Sequence, residues 1–304
     1  MTRGTPSEVS VDDIRFLLAV ARTGRLVTAG SLLGVDHTTV RRRISRLEQS
    51  LGTRLLDRGA DGWELTAIGR EITSRAAGIE QIVEQVLAAA SGGAGRALGT
   101  VRVVAPDAFG AAIAAPALTR VRDEHPGITI ELVTSTRPLS LRSSGFDLAV
   151  TIGGASSVHL PLEPLAEYAL RLYASQSYLD AHPPIRSLAD LHAHPLVYYV
   201  DALLTVRDLD LVPVLGGHVG FGSTNVFAQL EATRRGAGIG LLHAFMAEPD
   251  AALVPVLPRE VDIRLQYSLA GRRDNLMLEP VAIVREALHR EVRERSHELV
   301  PPVR

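Results

Sequence analysis

The sequence predicts an all-α winged helix-turn-helix at the N-terminus, joined by a long linker helix to a C-terminal α/β region. Three observations carry this. Residues Arg25 to Ile44 hold two helical periodicities broken at Gly34, the second studded with threonine and arginine. Residues Ala67 to Ala90 carry a heptad-like apolar seam that ends in Ser91-Gly92-Gly93-Ala94-Gly95. Beyond residue 100, short β-branched runs alternate with helical segments, the signature of a wound α/β sheet.

The first helix is marked by Ile14, Leu17, Leu18 and Ala21 at i, i+3, i+4, i+7, with Asp12 and Asp13 near its positive end and a stop at Thr23-Gly24. In the second, Thr28, Ala29, Leu32 and Leu33 fall at helical spacing. Gly34 then ends it, because glycine tolerates the left-handed backbone of a sharp C-terminus. Asp36 follows as an N-cap, and Val40, Ile44 and Leu47 line the buried face of a third helix. Thr38, Thr39, Arg41, Arg42 and Arg46 therefore point elsewhere. Arginine can fork onto the O6 and N7 atoms of guanine or neutralise phosphates, and threonine can meet a base edge or a thymine methyl. The pattern points to double-stranded DNA; the competing reading is a solvated basic face on an ordinary helix.

Composition bounds the rest. The chain of 304 residues has room for two or three domains, and its net charge of −2 argues neither for nor against nucleic acid. Charge distribution is more useful, since Arg41, Arg42, Arg43 and Arg46 are clustered. The absence of cysteine excludes disulfides, thiol nucleophiles and cysteine-based zinc sites. The opening MTRGTPSEVS has no apolar run and no segment has the length of a membrane span, so the expected location is the cytoplasm, away from the membrane.

After the third helix stops at Leu51-Gly52, two short extended pieces flank Gly59-Ala60-Asp61-Gly62 and suggest a hairpin wing. The run LGTRLLDRGADGWELTAIG resembles the LysR-type transcriptional regulators: Leu51-Gly52, then Leu55 to Arg58 with Leu56 for the usual phenylalanine, then Leu65-Thr66 to Gly69. The resemblance extends over roughly residues 10–290. It implies DNA contacts at Arg25, Thr28, Asp36, His37, Thr38, Thr39, Arg41, Arg42, Arg43, Arg46, Arg58, Gly62 and Trp63. His37 is also readable as a plain exposed imidazole, and Trp63 as a cover for the small domain's core. The third helix departs from the family in starting Asp36-His37-Thr38-Thr39, with Arg41 where serine is frequent and Gly30 where alanine is frequent. The operator sequence therefore does not transfer.

In the linker, Ile72, Ile79 and Val86 are seven apart, and Ala76, Val83 and Ala90 follow each by four, which is coiled-coil spacing. Such a seam needs a partner: the same helix of a second subunit, or the chain's own N-terminal domain. The resemblance implies a homodimer, and a homotetramer as the family's commonest assembly.

The expected domains are 9–66 for DNA binding, 67–90 for the linker and dimerisation helix, 91–99 for a hinge and 100–304 for regulation. The strand–helix alternation after residue 100 predicts a parallel, doubly wound sheet. The resemblance implies two Rossmann-like subdomains as in periplasmic binding proteins, about 100–165 with 271–304 and about 166–270, around a cleft for a small-molecule effector. Cleft segments matching the family are Pro106, Asp107, Ala108 and Phe109; Thr134 and Ser135; Thr151, Ile152 and Gly153; Val200 and Asp201; Ser223, Thr224 and Asn225; and Gly240, Leu241 and Leu242. Asp107 stands where a hydroxyl residue often receives an anionic effector. It reads either as a helix cap or as a group that repels anions, pointing to a neutral or amine-bearing effector.

Enzyme readings are weak. Gly236 to Gly240 resembles a dinucleotide loop, but a helix precedes it and a strand follows, so a helix C-cap is the better reading. His192-Ala193-His194 lacks a nearby third ligand, and no metal or cofactor is expected. The non-enzyme rival is a solute-binding sensor or interaction module without an operator.

Overall fold

A computed structural model describes residues 9–59, 62–73, 75–76, 97–134, 146–152, 162–200, 215–271 and 273–303. The chain divides near Thr100 into two compact units. Ile79, Val83, Val86, Ala90, Ser135, Gly153 and Asp201, with most of the expected hinge, lie outside the described residues.

The first unit holds helices α1 (Val11–Thr23), α2 (Leu26–Leu33) and α3 (His37–Leu51), then the antiparallel hairpin β1 (Leu56–Gly59) and β2 (Gly62–Leu65). All three helices end on glycines in the left-handed region: Gly24 at φ 66°, Gly34 at 67° and Gly52 at 66°. Phe16, Leu17, Ala19 and Val20 meet Ala29, Val40, Ile44, Leu47, Leu55 and Leu56 in one core. Helix α1 thus buries a wider face than its i, i+3, i+4 pattern indicated; Ile14 and Ala21 are only half-buried.

The motif Leu65-Thr66 to Gly69 has a physical reason. Thr66 Oγ1 accepts from the Gly69 amide at 2.9 Å and donates to the Arg54 carbonyl at 2.9 Å, capping the helix that begins at residue 67. A Cβ at Gly69 would lie 2.1 Å from the Leu55 carbonyl oxygen, so only glycine fits there. Ile72 packs half-buried on the core of its own domain, and Ala76 is buried. At Ile72 the seam therefore meets its own subunit, the alternative the sequence left open.

The second unit is built on a sheet of strands β3 (Gly99–Ala105), β4 (Ile128–Thr134), β5 (Leu148–Ile152), β6 (Leu162–Ser175), β7 (Pro195–Tyr198), β8 (His218–Gly222), β9 (Ile239–His243), β10 (Leu253–Val256) and β11 (Asp262–Gly271). Their order is β4-β3-β5-β11-β6-β9-β7-β8, with β10 beside β6. The sheet is mixed where the sequence suggested a parallel one. β3 runs parallel to β5, and β7 to β8 and β9. The two long strands β6 and β11 pair antiparallel with each other and with both groups. Residues 169–174, near the expected start of the second subdomain, form the second half of the long strand β6.

Helix α4 follows β3 and comprises Asp107–Phe109, a π-helical stretch Gly110–Ala114 and Ala115–Glu124. Shorter helices are α5 (Gln176–Ala181), α6 (Val226–Arg234), α7 (Ala244–Ala247) and α8 (Arg273–Leu276), before α9 (Glu279–Glu294) and α10 (Ser296–Leu299). Gly236 (φ 79°) donates its amide to the Thr233 carbonyl at the end of α6, so the glycine cluster is the expected helix stop.

Buried charges hold this unit together. Arg171 is 1% exposed and donates to Asp262 Oδ1 at 2.8 Å, to Glu248 Oε1 at 3.4 Å and to the Pro301 carbonyl at 2.6 Å. Buried Glu291 on α9 receives Arg120 from α4 and Arg295. Arg295 also donates to the Ala112 carbonyl inside the π-helical turn. Such paired charges offset the large cost of removing them from water.

Candidate functional site

The first candidate surface is the outward face of α3. Asp36, exposed, accepts from the Thr38 amide at 2.7 Å and fixes the helix start. The hydroxyl of Thr38 holds its carboxyl below the usual range, aided by the Thr38 amide. His37 lies 3.5 Å from Asp36 Oδ2 and is exposed. With Val40, Ile44 and Leu47 buried, Thr38, Arg41 and Arg42 form an exposed stripe; Thr39 is half-buried at its flank. Ser45 and Gln49 continue the stripe. The 3.6-residue period places both on this face, although the sequence reading named neither.

The arginine cluster is divided. Asp13, 1% exposed, lies against α3, where Arg43 Nη1 reaches its Oδ1 at 3.0 Å and Arg46 Nε its Oδ2 at 3.3 Å. The Arg43 guanidinium also sits over the Phe16 ring, 5.5 Å from its centre. Arg43, expected at DNA, is thus engaged inside the domain; Arg46 keeps 60% of its side chain exposed. Asp13, expected only as a helix-end charge, is the group that ties α1 to α3.

Around this face lie exposed Arg25 and Thr28 at the start of α2 and exposed Arg58 on the wing. Trp63 donates its amide to the Gly24 carbonyl at 3.0 Å, and its side chain packs half-buried on the core. A Cβ at Gly62 would come 2.7 Å from that same carbonyl oxygen, so Gly62 serves the docking of the wing. Exposed Val27 was not anticipated.

The second candidate site lies in the other unit, where strand ends gather. The first turn of α4, Asp107–Phe109, lies beside α6, so Pro106 to Phe109 and Ser223 to Asn225 belong to the same region. Asn225 caps α6, accepting from the Phe227 and Ala228 amides at 2.9 and 3.0 Å. Ser223 Oγ accepts from the Asn225 amide, and its own amide donates to the Tyr198 carbonyl, joining this loop to the end of β7. Exposed Thr134 abuts Gly110: a Cβ there would meet the Thr134 methyl. Thr151 and Ile152, at the end of β5, are half-buried, as are Pro106, Val200 and Thr224.

Several expected cleft residues are core instead. Ala108 and Phe109 are buried because the α4 start packs onto the sheet, and Leu241 and Leu242 are buried in β9. Leu242 packs with Tyr173, Ala247 and Leu253. Gly240 is buried where a Cβ would strike Thr233 Oγ1. Asp107 is not the cap: the N-cap position is Pro106, and no side-chain cap bond forms.

Sequence reading missed an aromatic column. Phe109 meets Tyr267 edge-on at 4.8 Å, Tyr267 stacks on Tyr168 at 4.0 Å, and Tyr168 stacks on His243 at 5.3 Å. These four residues lie between positions 109 and 267 and share no spacing signal. Burial pushes the His243 imidazole down to about 3, so it is neutral. Burial also raises the Tyr168, Tyr199 and Tyr267 phenols; nearby Tyr199 raises Tyr168 and Tyr267 further, while Tyr267 works the other way at Tyr168.

His194 is buried with Nδ1 2.8 Å from the Tyr178 hydroxyl, while His192 is exposed. Among the described residues no group of three or more His, Cys, Asp or Glu could hold a metal, and no helix is long and apolar enough to cross a membrane.

Comparison with known proteins matches residues 11–70 to the bacterial regulatory helix-turn-helix protein, LysR family, and residues 94–293 to the LysR substrate binding domain. The chain is 25% identical over 253 residues to the probable HTH-type transcriptional regulator LtrA of Klebsiella pneumoniae, covering 81% of this chain and 82% of that one. It is 25% identical over 294 residues to the uncharacterized HTH-type transcriptional regulator YhjC of Escherichia coli, covering 88% and 95%. The structure of full-length LysG from Corynebacterium glutamicum with bound effector Arg superposes with TM-score 0.67 at 22% identity, covering 94% and 99%, a likeness of fold.

Proposed function

Because the chain belongs to the LysR family of transcriptional regulators, we propose that it binds a specific DNA sequence through α3 and that a small molecule in the second unit controls that binding. The observation that supports this most is the exposed stripe Thr38, Arg41, Arg42, Ser45 and Gln49 opposite the buried Val40, Ile44 and Leu47. It presents base-reading and phosphate-binding groups on one rigid helix. Arg46, steadied by Asp13, and Arg58 on the wing anchor the backbone, with Arg25 and Thr28 at the start of α2 beside them. Two subunits pairing through Ala67 to Ala90 would present two such helices to half-sites about 34–36 Å apart or a multiple of it. Effector control requires unequal affinity for two arrangements of the assembly, since equal affinity shifts nothing. The match of residues 94–293 to the LysR substrate binding domain supports placing the effector in the second unit.

The test is a mobility shift on the intergenic region upstream of the protein's own gene, and then on a genomic fragment library, at two salt concentrations. A specific, salt-sensitive shift is expected, weakened about 5- to 100-fold by Arg42→Ala, the range set by loss of one base or phosphate contact. No shift on any fragment would defeat the proposal.

A further inference from the structure

We infer that the C-terminal segment from Arg295 to Pro301 is a strap, a further connection between the two halves of the second unit that limits how far they turn against each other. This goes beyond the regulator reading and does not depend on it.

The sheet defines the halves. β3, β4 and β5 lie to one side with α4, and β7, β8 and β9 to the other with α6 and α7. Among the described residues, β6 and β11 are the strands that pair with both groups. Helix α9 belongs with the first half. It packs along α4, and its buried Glu291 receives Arg120 from that helix. At Arg295 the backbone leaves the helical region (φ −103°, ψ 18°) and α9 ends. Helix α10 then departs to pack on β6 and α7, where Leu299 is 1% exposed. The chain therefore crosses from one half to the other at its C-terminal end.

Each end of the crossing is fixed to a different half. Arg295 donates to the Ala112 carbonyl in the π-helical turn of α4 and to Glu291 of α9 at 3.3 Å. Its guanidinium also grips Glu298 of α10 through Nε at 3.0 Å and Nη2 at 2.6 Å, which sets the angle at which α10 leaves. At the far end the Pro301 carbonyl accepts from Arg171 at 2.6 Å. Arg171 lies in the part of β6 that pairs with β9, and Asp262 and Glu248, the residue after α7, hold it there. Between the anchors stand only α10, of 4 residues, and Val300. At about 1.5 Å per helical residue α10 spans about 6 Å, so the link has little slack. If the halves turn about β6 and β11, the Ala112 and Pro301 carbonyls change their separation and one anchor must open. That leaves part of a buried or half-buried guanidinium without its acceptor, which opposes the motion.

The chain has no cysteine, so nitroxide labels attach only where cysteine is introduced. Thr119→Cys on α4 paired with Arg235→Cys after α6, both exposed, reads the distance between the halves by double electron–electron resonance. Thr119→Cys paired with Glu286→Cys on α9 reads a distance within the first half. Two changes to the full chain release the strap. Gly-Gly-Ser-Gly inserted between Arg295 and Ser296 adds slack while keeping both anchoring residues, and Arg295→Met removes one anchor at unchanged length. The 119–235 distance distribution should broaden or gain a second maximum in both variants, with the 119–286 distribution unmoved. A 119–235 distribution in the insertion variant that coincides with that of the parent chain overturns the inference. If the insertion also disturbs the 119–286 distance, Arg295→Met decides by the same two distances. Disturbance of 119–286 in both variants overturns the inference as well, because the segment would then be part of the first half's own core.

Discussion

Asp13 holds helix α3 through two contacts, and removing its charge should loosen that helix measurably. In Asp13→Asn the side chain keeps its volume but loses its charge, leaving Arg43 and Arg46 without their counter-ion. The Arg43 contact, at 3.0 Å to a carboxylate 2% exposed, is a charge-assisted bond worth about 1.5–3 kcal/mol. Arg46 is 60% exposed, so water and salt screen it to below about 1 kcal/mol. Together the loss is about 2–4 kcal/mol. The chain's single tryptophan, Trp63, sits against the core of this domain, so its fluorescence reports unfolding here. With a urea slope of about 1 kcal/mol/M for so small a domain, the midpoint should fall by about 2 M or more. Arg43→Met should account for most of that loss, and adding it to Asp13→Asn should cost little more. A midpoint moved by less than about 0.5 M would refute the reasoning, because the carboxylate would then not be holding the helices together.

Other outcomes follow from the same structure. Gly30→Ala places a Cβ 2.6 Å from the Val35 carbonyl oxygen, backbone that cannot swing away, and should destabilise the first unit by about 1–3 kcal/mol in the same fluorescence assay. Arg171→Leu removes one partner each from Glu248, which keeps the Tyr173 hydroxyl, and from Asp262, which keeps Arg264, and should lower the second unit's stability by about 3 kcal/mol by calorimetry. The His243 imidazole is held at about 3 against 6.5 in the unfolded chain, so the unfolded state binds the proton first. Stability should therefore be full above pH 6.5 and fall as pH drops towards 3, by about 2 kcal/mol at pH 5, and His243→Gln should flatten that decline. Glu163 is held at about 2 against 4.5, so its contribution is present above pH 4.5 and is lost below. Solvent screening of its partly exposed partner Arg285 limits it to about 1 kcal/mol, and Glu163→Gln should remove that acid step from a pH series of melting curves.

What the sequence made legible was local. Asp36, Gly34, Gly52 and Asn225 announce helix ends because caps act within three or four residues of themselves. Val40, Ile44 and Leu47 announce a buried face by spacing alone. What stayed hidden depends on pairs distant in sequence. Arg43 reads as a DNA contact until Asp13, 30 residues earlier, is seen beneath it. Phe109, Leu241 and Leu242 matched cleft segments, but a strand end serves cleft and core together, and only packing decides which side chain goes where. The phenols of Tyr168, Tyr199 and Tyr267 come from β6, the residue after β7, and β11, and have no common period to betray them.

The Arg171 contact with the Pro301 carbonyl bears on how the protein is made. A ribosome delivers the chain from its N-terminus, and domains generally fold as they emerge. The first unit's described core, from Phe16 to Ile72, is complete once residue 72 is free. The second unit is not: a buried guanidinium in β6 waits 77 positions for its first acceptor, Glu248, and 130 for its last, the Pro301 carbonyl, and the long strand β11 must arrive to pair with β5 and β6. During synthesis the two halves should mature on different schedules, with the first unit folded while the second is still open. That interval makes the second unit the part most exposed to chaperones and proteases, and loss of the segment around Pro301 should prolong it.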